Sequence, residues 1–480
     1  MRFRFAVASL VCAAAFGQGV RITSGLTDHQ VIQRGADGMA VARVSGTGPD
    51  GAVEARYTPE GGGPSVWTKV ADARSGQWSG ELKGLRTGGP YTVEVRAGGS
   101  TTVVGDVLVG DLWVLAGQSN MEGVGDLVDV QKPDPLVHSF DQLDAWGVAR
   151  EPLHNLPGAV DRVHWRKNKQ GEPERYTGEA LAKFNETRKK GAGLGLPFAV
   201  EMVRRTGVPV GLVPCAHGGT SMEQWSPELK DKGGDSLYGA TIRRFQAVGG
   251  RVTGVLWYQG ESDANSKAAP LFSDKFKALI GAFRRDFGQS DLPFYYVQIG
   301  RYTDKANIAD WFVVQEAQRE AEREVARSGM VSAVDVGLDD AIHVSTQDQK
   351  RVGRRLAVLA SRDLFPAISD YGSAKAGPRP VSASFAGGVV RVTFEGVNGR
   401  LRAQGRISGF SIHDGKGDPA ASIYKVRTDP ADPSVLYLHV SGKMPAEANL
   451  RYCYGKDPYC NLTDSLDMAA PAFGPLAIRQ

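Results

Sequence analysis

Four short stretches of this 480-residue chain carry side chains suited to acyl transfer. In "LWVLAGQSNMEG" (residues 112–123) an apolar run empties into Gly117-Gln118-Ser119-Asn120 and presents a serine in a tight turn. A serine there is ordinary turn chemistry unless a base, an acid and oxyanion donors accompany it. "DVGLDDAIHVST" supplies an acid and a base, with Asp340 three residues before His343. "CAHGGTSMEQW" supplies Gly218 and Gly219, whose backbone N–H groups no side chain shields, and "WYQGESDA" supplies the carboxamide of Gln259. In this set Ser119 attacks and His343 takes its proton. Asp340 holds the imidazole tautomer and stabilises its cation, while the donors hold the oxyanion. His217 is a competing base, but no acid stands near it in sequence.

These stretches need elements that bring them together. From residue 109 the chain alternates strands and helices. "FAVEMVRRTG" reads as a helix opened near Pro197 and stopped by Gly207; "VPVGLVPCA", "TGVLWYQGES", "PFYYVQIG" and "MVSAVDVG" read as buried strands. "LFSDKFKALIGAFRRDFG" places Phe272, Phe276, Leu279, Phe283 and Phe287 on one helical face, and "QDQKRVGRRLAVLASRDLF" does the same with Val352, Leu356 and Leu359. Strands alternating with helices imply a parallel sheet covered on both sides, where function gathers at the carboxyl ends of the strands. All four stretches sit at such ends.

Residues 19–108 read as a β domain of short alternating runs ("VEARYT", "YTVEVRA") between Gly- and Pro-rich turns, and residues 367–480 return to β character ("GGVVRVTFEG", "SVLYLHVSG"). The α/β domain between them covers 109–366, with a charged, weakly patterned insertion at 126–190 expected to lie over one face of the sheet.

The start, "MRFRFAVASLVCAAAFGQG", has two arginines, an apolar run from Phe5 to Phe16 and small residues near Gly17. It reads as a signal peptide over residues 1–18, placing the mature protein outside the cytoplasm, secreted or periplasmic. Its apolar run is shorter than the roughly 18–20 residues that span a bilayer, so no membrane association is expected after cleavage. Formal charge is +4 with Arg2 and Arg4 inside that segment, so the remainder is nearly neutral and gives no reason to invoke nucleic acid. In an oxidising compartment Cys453 and Cys460 are expected to pair; Cys215, in an apolar strand, reads as a buried inert thiol. No cysteine or histidine cluster calls for a metal.

The serine turn is not the Gly-x-Ser-x-Gly elbow of α/β-hydrolases, because Met121 stands two residues after Ser119. The order of blocks "GQSNMEG", "GLVPCAHGGTSMEQW", "VLWYQGESDA" and "DDAIHVSTQDQKRVGRRLA" resembles the SGNH-hydrolase superfamily. Within it, they resemble the acetylesterases of carbohydrate esterase family six and the sialate O-acetylesterases. "GLTDHQVIQRG", "RTGGPYTVEV" and "NLTDSLDMAAPAFGP" are similar to the flanks of the latter. The resemblance implies a three-layer α/β/α, flavodoxin-like catalytic domain with flanking β domains, and no cofactor. It implies Ser119, Asp340 and His343 as the triad, with Asp339 turned to solvent or a backbone N–H. The oxyanion hole is the Ser119 N–H, a glycine N–H from Gly218–Gly219 and the Gln259 side chain, with Glu261 in support. The substrate implied is an acetylated carbohydrate, such as xylan or another polysaccharide. The alternatives are a sialate-specific O-acetylesterase and, from another class, an inactive carbohydrate-binding protein on the same fold.

Overall fold

A computed structural model describes residues 19–305 and 307–480; residues 1–18, the segment expected to be a signal peptide, with Cys12, lie outside the described residues. The chain divides into two compact units, with a boundary after Val107, inside the strand Ser100–Gly117.

The first unit takes in the described residues up to Asp28 together with Val41–Leu85 and Pro90–Val107. It is all β. The strands Met39–Thr47, Gly51–Pro59, Gln77–Arg86 and Gly88–Ala97 alternate buried and exposed positions, as strands with one covered face must. Val53, Leu85 and Val93 are fully enclosed.

The second unit is built on a sheet ordered Trp146–Val148, Val137–Phe140, Val210–Pro214, then the end of Ser100–Gly117, Gly254–Tyr258, Phe294–Gln298 and Ser328–Ser332. All pairings are parallel except that of the edge strand Trp146–Val148. Leu112–Ala116 lie at the middle of this sheet with no solvent exposure, which explains an apolar run without alternation. The helix Gly195–Thr206 packs on Thr346–Leu364, and Ala269–Asp286 packs on Ile308–Glu324. Two of these four helices, Ile308–Glu324 and Thr346–Leu364, have side-chain caps at their starts. The Asn307 carboxamide oxygen accepts from the Ala309 and Asp310 N–H groups, and Ser345 Oγ accepts from Asp348 N–H. Phe272, Phe276, Leu279 and Phe283 face the core as their spacing requires.

Part of the segment expected to lie over the sheet is sheet itself. Val137–Phe140 pairs in parallel with Val210–Pro214 and extends the edge. A four-residue strand of sequence VHSF has neither alternation nor an apolar run, so it does not stand out among charged neighbours. The rest of the segment holds one-turn helices at Leu156–Gly158 and Arg162–His164 and an exposed helix, Gly178–Thr187; Lys190–Ala192 pairs back with Gly125–Asp126.

The C-terminal part of this unit is a seven-stranded sheet ordered Phe410–His413, Asn449–Tyr452, Phe473–Arg479, Arg379–Ala386, Val389–Glu395, Val435–Ser441 and Ser422–Thr428. Its core gathers Val390, Val392, Leu436, Leu438, Leu450 and Tyr452. Cys453 and Cys460 are joined at its rim with Cα atoms 5.8 Å apart, and Cys215 is buried and free. Neither Cys453 nor Cys460 is therefore expected to alkylate in the air-oxidised protein until a reductant is added. Changing both to Ala should lower stability by about 2 kcal/mol, read as a reduced Tm.

Candidate active site

The strand Ser100–Gly117 ends at a position only glycine fits. Gly117 has φ +133°, and a Cβ there would lie 2.2 Å from the Tyr258 carbonyl oxygen on the neighbouring strand. The chain turns sharply and Ser119 opens a single helical turn, Ser119–Glu122. The Ser119 side chain makes no hydrogen bond to a described residue, and the residue is 8% exposed.

The residues around it are all committed. Gln118 Oε1 accepts from the Ser262 N–H at 3.2 Å, and the Gln118 N–H donates to the Tyr258 carbonyl at 2.8 Å. Asn120 Nδ2 donates to Glu261 Oε1 at 2.8 Å, while its Oδ1 accepts from the Val344 N–H at 2.9 Å. Glu122 Oε2 accepts from the Gly218 N–H at 2.7 Å. The turn thus binds the other three stretches through residues 118, 120 and 122. None of these three was singled out by sequence reasoning; the available signal was their position flanking the serine.

His343 and Asp340 meet as their spacing suggested. Asp340 Oδ2 lies 2.8 Å from His343 Nδ1, and Oδ1 accepts from the Ile342 and His343 N–H groups at 3.0 and 2.9 Å. Partial burial works against ionising this carboxyl. The His343 side chain and the two backbone N–H groups outweigh it and hold Asp340 well below the usual carboxylate range. Lys190 Nζ adds a cation 3.5 Å from Oδ2. Asp339 turns elsewhere, accepting on Oδ2 from the Asp126 and Thr346 N–H groups at 2.9 and 3.0 Å. His217 has no acid. Its Nδ1 lies 3.1 Å from Nδ1 of the stacked His164, and burial pushes its pKa down to about 4.

An open cleft of about 430 Å³ gathers Ser119, Glu122, Gly218, Gly219, Glu261 and His343. Among the described residues the Ser119 and Gly219 N–H groups have no protein acceptor, whereas the Gly218 N–H is occupied by Glu122. Gly218 is tightly packed: a Cβ there would stand 3.0 Å from Glu122 Oε2 and 3.3 Å from Ser119 Cβ, so both would have to give by a few tenths of an ångström.

The expectation for Gln259 is corrected. Its side chain is fully enclosed, and Nε2 donates both hydrogens inward, to the Thr220 carbonyl at 3.1 Å and to Asp263 Oδ2 at 2.5 Å. Asp263 Oδ2 also accepts from the Met222 N–H at 2.8 Å, so Gln259 and Asp263 join the second and third stretches behind the cleft. Sequence places a carboxamide at a strand end but does not show which way it turns. Glu261 does reach the cleft; burial pushes its carboxyl up, and Oε2 has no partner.

A second cavity, of about 580 Å³, is walled largely by the 126–190 segment and shares Glu122 and Val124 with the first. Arg166, Lys167, Arg188, Lys189 and Lys190 line it.

The sequence of residues 109–362, more than half of the chain, matches the family described as carbohydrate esterase, sialic acid-specific acetylesterase. The chain belongs to that family. Its members' class makes it a hydrolase of ester bonds. It is similar to a probable carbohydrate esterase of Arabidopsis thaliana, 32% identical over 274 residues covering 51% of this chain and 88% of the plant protein. It is also similar to the sialate O-acetylesterase of Rattus norvegicus, 28% identical over 348 residues covering 60% of this chain. The match spans only 61% of the rat protein's length. Among solved structures, a carbohydrate acetylesterase from Xanthomonas citri is similar over 95% of this chain and 99% of its own, with 25% identity and a TM-score of 0.64.

For an esterase of this family the two adjacent aspartates have separable contacts, one with an imidazole and one with backbone. Asp340→Asn should lower kcat by roughly 10²–10⁴-fold, and Asp339→Asn by less than about tenfold. Steady-state kinetics on an aryl acetate, with folding followed by circular dichroism, reads both.

Proposed function

We propose that the protein is an exported serine esterase that removes O-acetyl groups from carbohydrates through an acetyl-enzyme. The observation that carries this reading is the Asp340–His343 pair opening on the same cleft as Ser119 and two unoccupied N–H groups. Ser119 Oγ attacks the acetyl carbonyl carbon while His343 Nε2 takes its proton. The oxyanion is held by the N–H groups of Ser119 and Gly219. His343 then protonates the sugar oxygen, the C–O bond breaks and the sugar alcohol leaves. Water, deprotonated by the same imidazole, attacks the acetyl-enzyme; the acyl C–Oγ bond breaks, the imidazolium returns the proton to Ser119 Oγ, and acetate leaves. Asp340 stays ionised throughout and keeps Nδ1–H directed at itself. Glu261, through Asn120, supports the geometry.

In this reading residues 1–18 are a cleaved signal. Residues 19–108 and 367–480 are β domains flanking a three-layer SGNH-type domain, 109–366. The two helix pairs on a parallel sheet support the three-layer assignment, and the match to the Xanthomonas citri acetylesterase over nearly the whole chain supports the full arrangement. Among the described residues no helix is long and apolar enough to cross a membrane.

One observation favours the sialate alternative. The cavity beside the nucleophile carries five cations, and among the described residues Arg166, Lys167, Arg188 and Lys189 have no carboxylate within ion-pair distance. A substrate carrying a carboxylate would meet that charge. Acetate release across acetylated xylans, pectins and sialic acids separates the readings, and rising salt should raise KM for the acidic substrates more than for neutral ones.

Ser119→Ala should reduce acetate release by at least about 10³-fold with the fold intact. A fluorophosphonate should label the native protein and not the variant. Undiminished turnover in the variant rejects the mechanism, and absence of turnover in the native protein favours the carbohydrate-binding alternative. Because only neutral imidazole accepts the serine proton, kcat/KM should fall on the acid side; Asp340, held low, is not the group titrating there. His217→Ala should retain far more activity than His343→Ala.

A further inference from the structure

Glu122 is a half-buried residue at the edge of the cleft that the acyl-transfer steps leave without a part. It sits three residues after Ser119, so both project from the same side of the single helical turn. It has no ion-pair partner within 4 Å among the described residues; Arg188 and Arg166 act on it only at longer range. Its one resolved contact is the 2.7 Å hydrogen bond from the Gly218 N–H.

That bond has a geometric consequence. Gly218 packs closely against Ser119, where a Cβ would stand 3.3 Å from Ser119 Cβ. The turn through residues 217–220 is held at its other points by the His217 N–H on the Gly117 carbonyl at 3.0 Å and by Thr220 Oγ1 on the His217 carbonyl at 2.7 Å. Between these, Glu122 fixes the direction of the Gly218 peptide. The next peptide, with Gly219 at φ +69°, then leaves its N–H without a protein acceptor at the cleft that holds Ser119. Without the carboxyl, the peptide that carries the Gly218 N–H keeps a single anchor, Thr220 Oγ1 on its His217 carbonyl, and is freer to tilt toward the cleft and carry the Gly219 N–H with it.

We propose that Glu122 is a positioning residue of the oxyanion hole: by accepting from the Gly218 N–H it aims the Gly219 N–H at the oxygen of the tetrahedral intermediate. The inference rests on the esterase reading above. It also gives the two glycines different work, Gly218 providing close approach and an anchored N–H, Gly219 providing the donor. Burial pushes the Glu122 carboxyl up to about 7, against the pull of the Gly218 N–H, Arg188 and Arg166. Both its ionised and its neutral form keep an acceptor oxygen, so the contact depends on the acceptor and a carboxamide can replace it.

The test uses three variants of the full chain on an aryl acetate, with kcat and KM read separately. Glu122→Ala and Glu122→Met both remove the acceptor, the second while keeping most of the volume. Each should lower kcat by roughly 10- to 100-fold with KM changed less than about threefold, because the lost interaction belongs to the transition state. Glu122→Gln should stay within about threefold of the native kcat. A role confined to packing would instead lower Tm with kcat kept, and Glu122→Met would then resemble the native protein. The proposal is overturned by native kcat in Glu122→Met, by a loss confined to KM, or by Glu122→Gln as impaired as Glu122→Met while both keep the native circular dichroism. Ser119→Ala, run alongside, separates the two levels. If it stays active the esterase reading fails, whereas an inactive Ser119→Ala with an unaffected Glu122→Met removes only the role given to Glu122.

Discussion

Everything at this site depends on how the turn after the strand Ser100–Gly117 is anchored. A four-residue helical turn has too few internal hydrogen bonds to hold itself. It is held instead by Gln118, Asn120 and Glu122, which bind the third, fourth and second stretches respectively. Ser119, among them, keeps a side chain without a hydrogen-bond partner among the described residues. The same three contacts that immobilise the serine therefore align the glycine turn and the histidine loop with it. In acyl transfer this alignment is worth more than any single contact, since misplacing reacting groups by an ångström costs orders of magnitude in rate.

The carboxyl groups around the cleft divide by environment. Burial pushes the carboxyls of Glu122, Glu151 and Glu261 up; those of Glu122 and Glu151 reach about 7. Asp340 is the exception. It remains partly open to solvent and receives two backbone N–H groups and an imidazole, which together stabilise its charge. The carboxyl held ionised is thus the one partly open to solvent with three donors around it. The groups that hold loops in place can do so as acceptors, whether or not they are ionised.

The 126–190 segment ties the edge of the sheet to the rim of the site. Its first part becomes sheet at Val137–Phe140. Its last part, Lys190–Ala192, pairs with Gly125–Asp126 just beyond the serine turn, bringing Lys190 close to Asp126 and Asp340. A long departure from the sheet is thereby closed within a few residues of the catalytic cleft, and the cationic cavity is formed between its two ends. The closeness of Lys190 to the cleft follows from this strand pairing, whereas Arg166 and Lys167 reach the cationic cavity from the middle of the segment.

By itself the sequence determined the parallel sheet, most of its helices and the pairing of Asp340 with His343. Those features rest on local rules: apolar runs, helical spacing, capping residues, and an acid three residues from a base on one turn. It also placed the four stretches at strand ends, since strands joined by helices must run parallel. Tertiary structure alone decided which side chains face the cleft and which face away. Gln259 and Gly218 have the right types at the right ends, yet the first spends its amide on Thr220 and Asp263 and the second spends its N–H on Glu122. Glu122 drew no notice in sequence because a glutamate in a first helical turn is ordinary. Its partner lies 96 residues away. The physical reason is the same in each case: a donor or acceptor at a strand end is satisfied by whatever the neighbouring strand delivers, and that neighbour is chosen by sheet order and register, which no local pattern encodes.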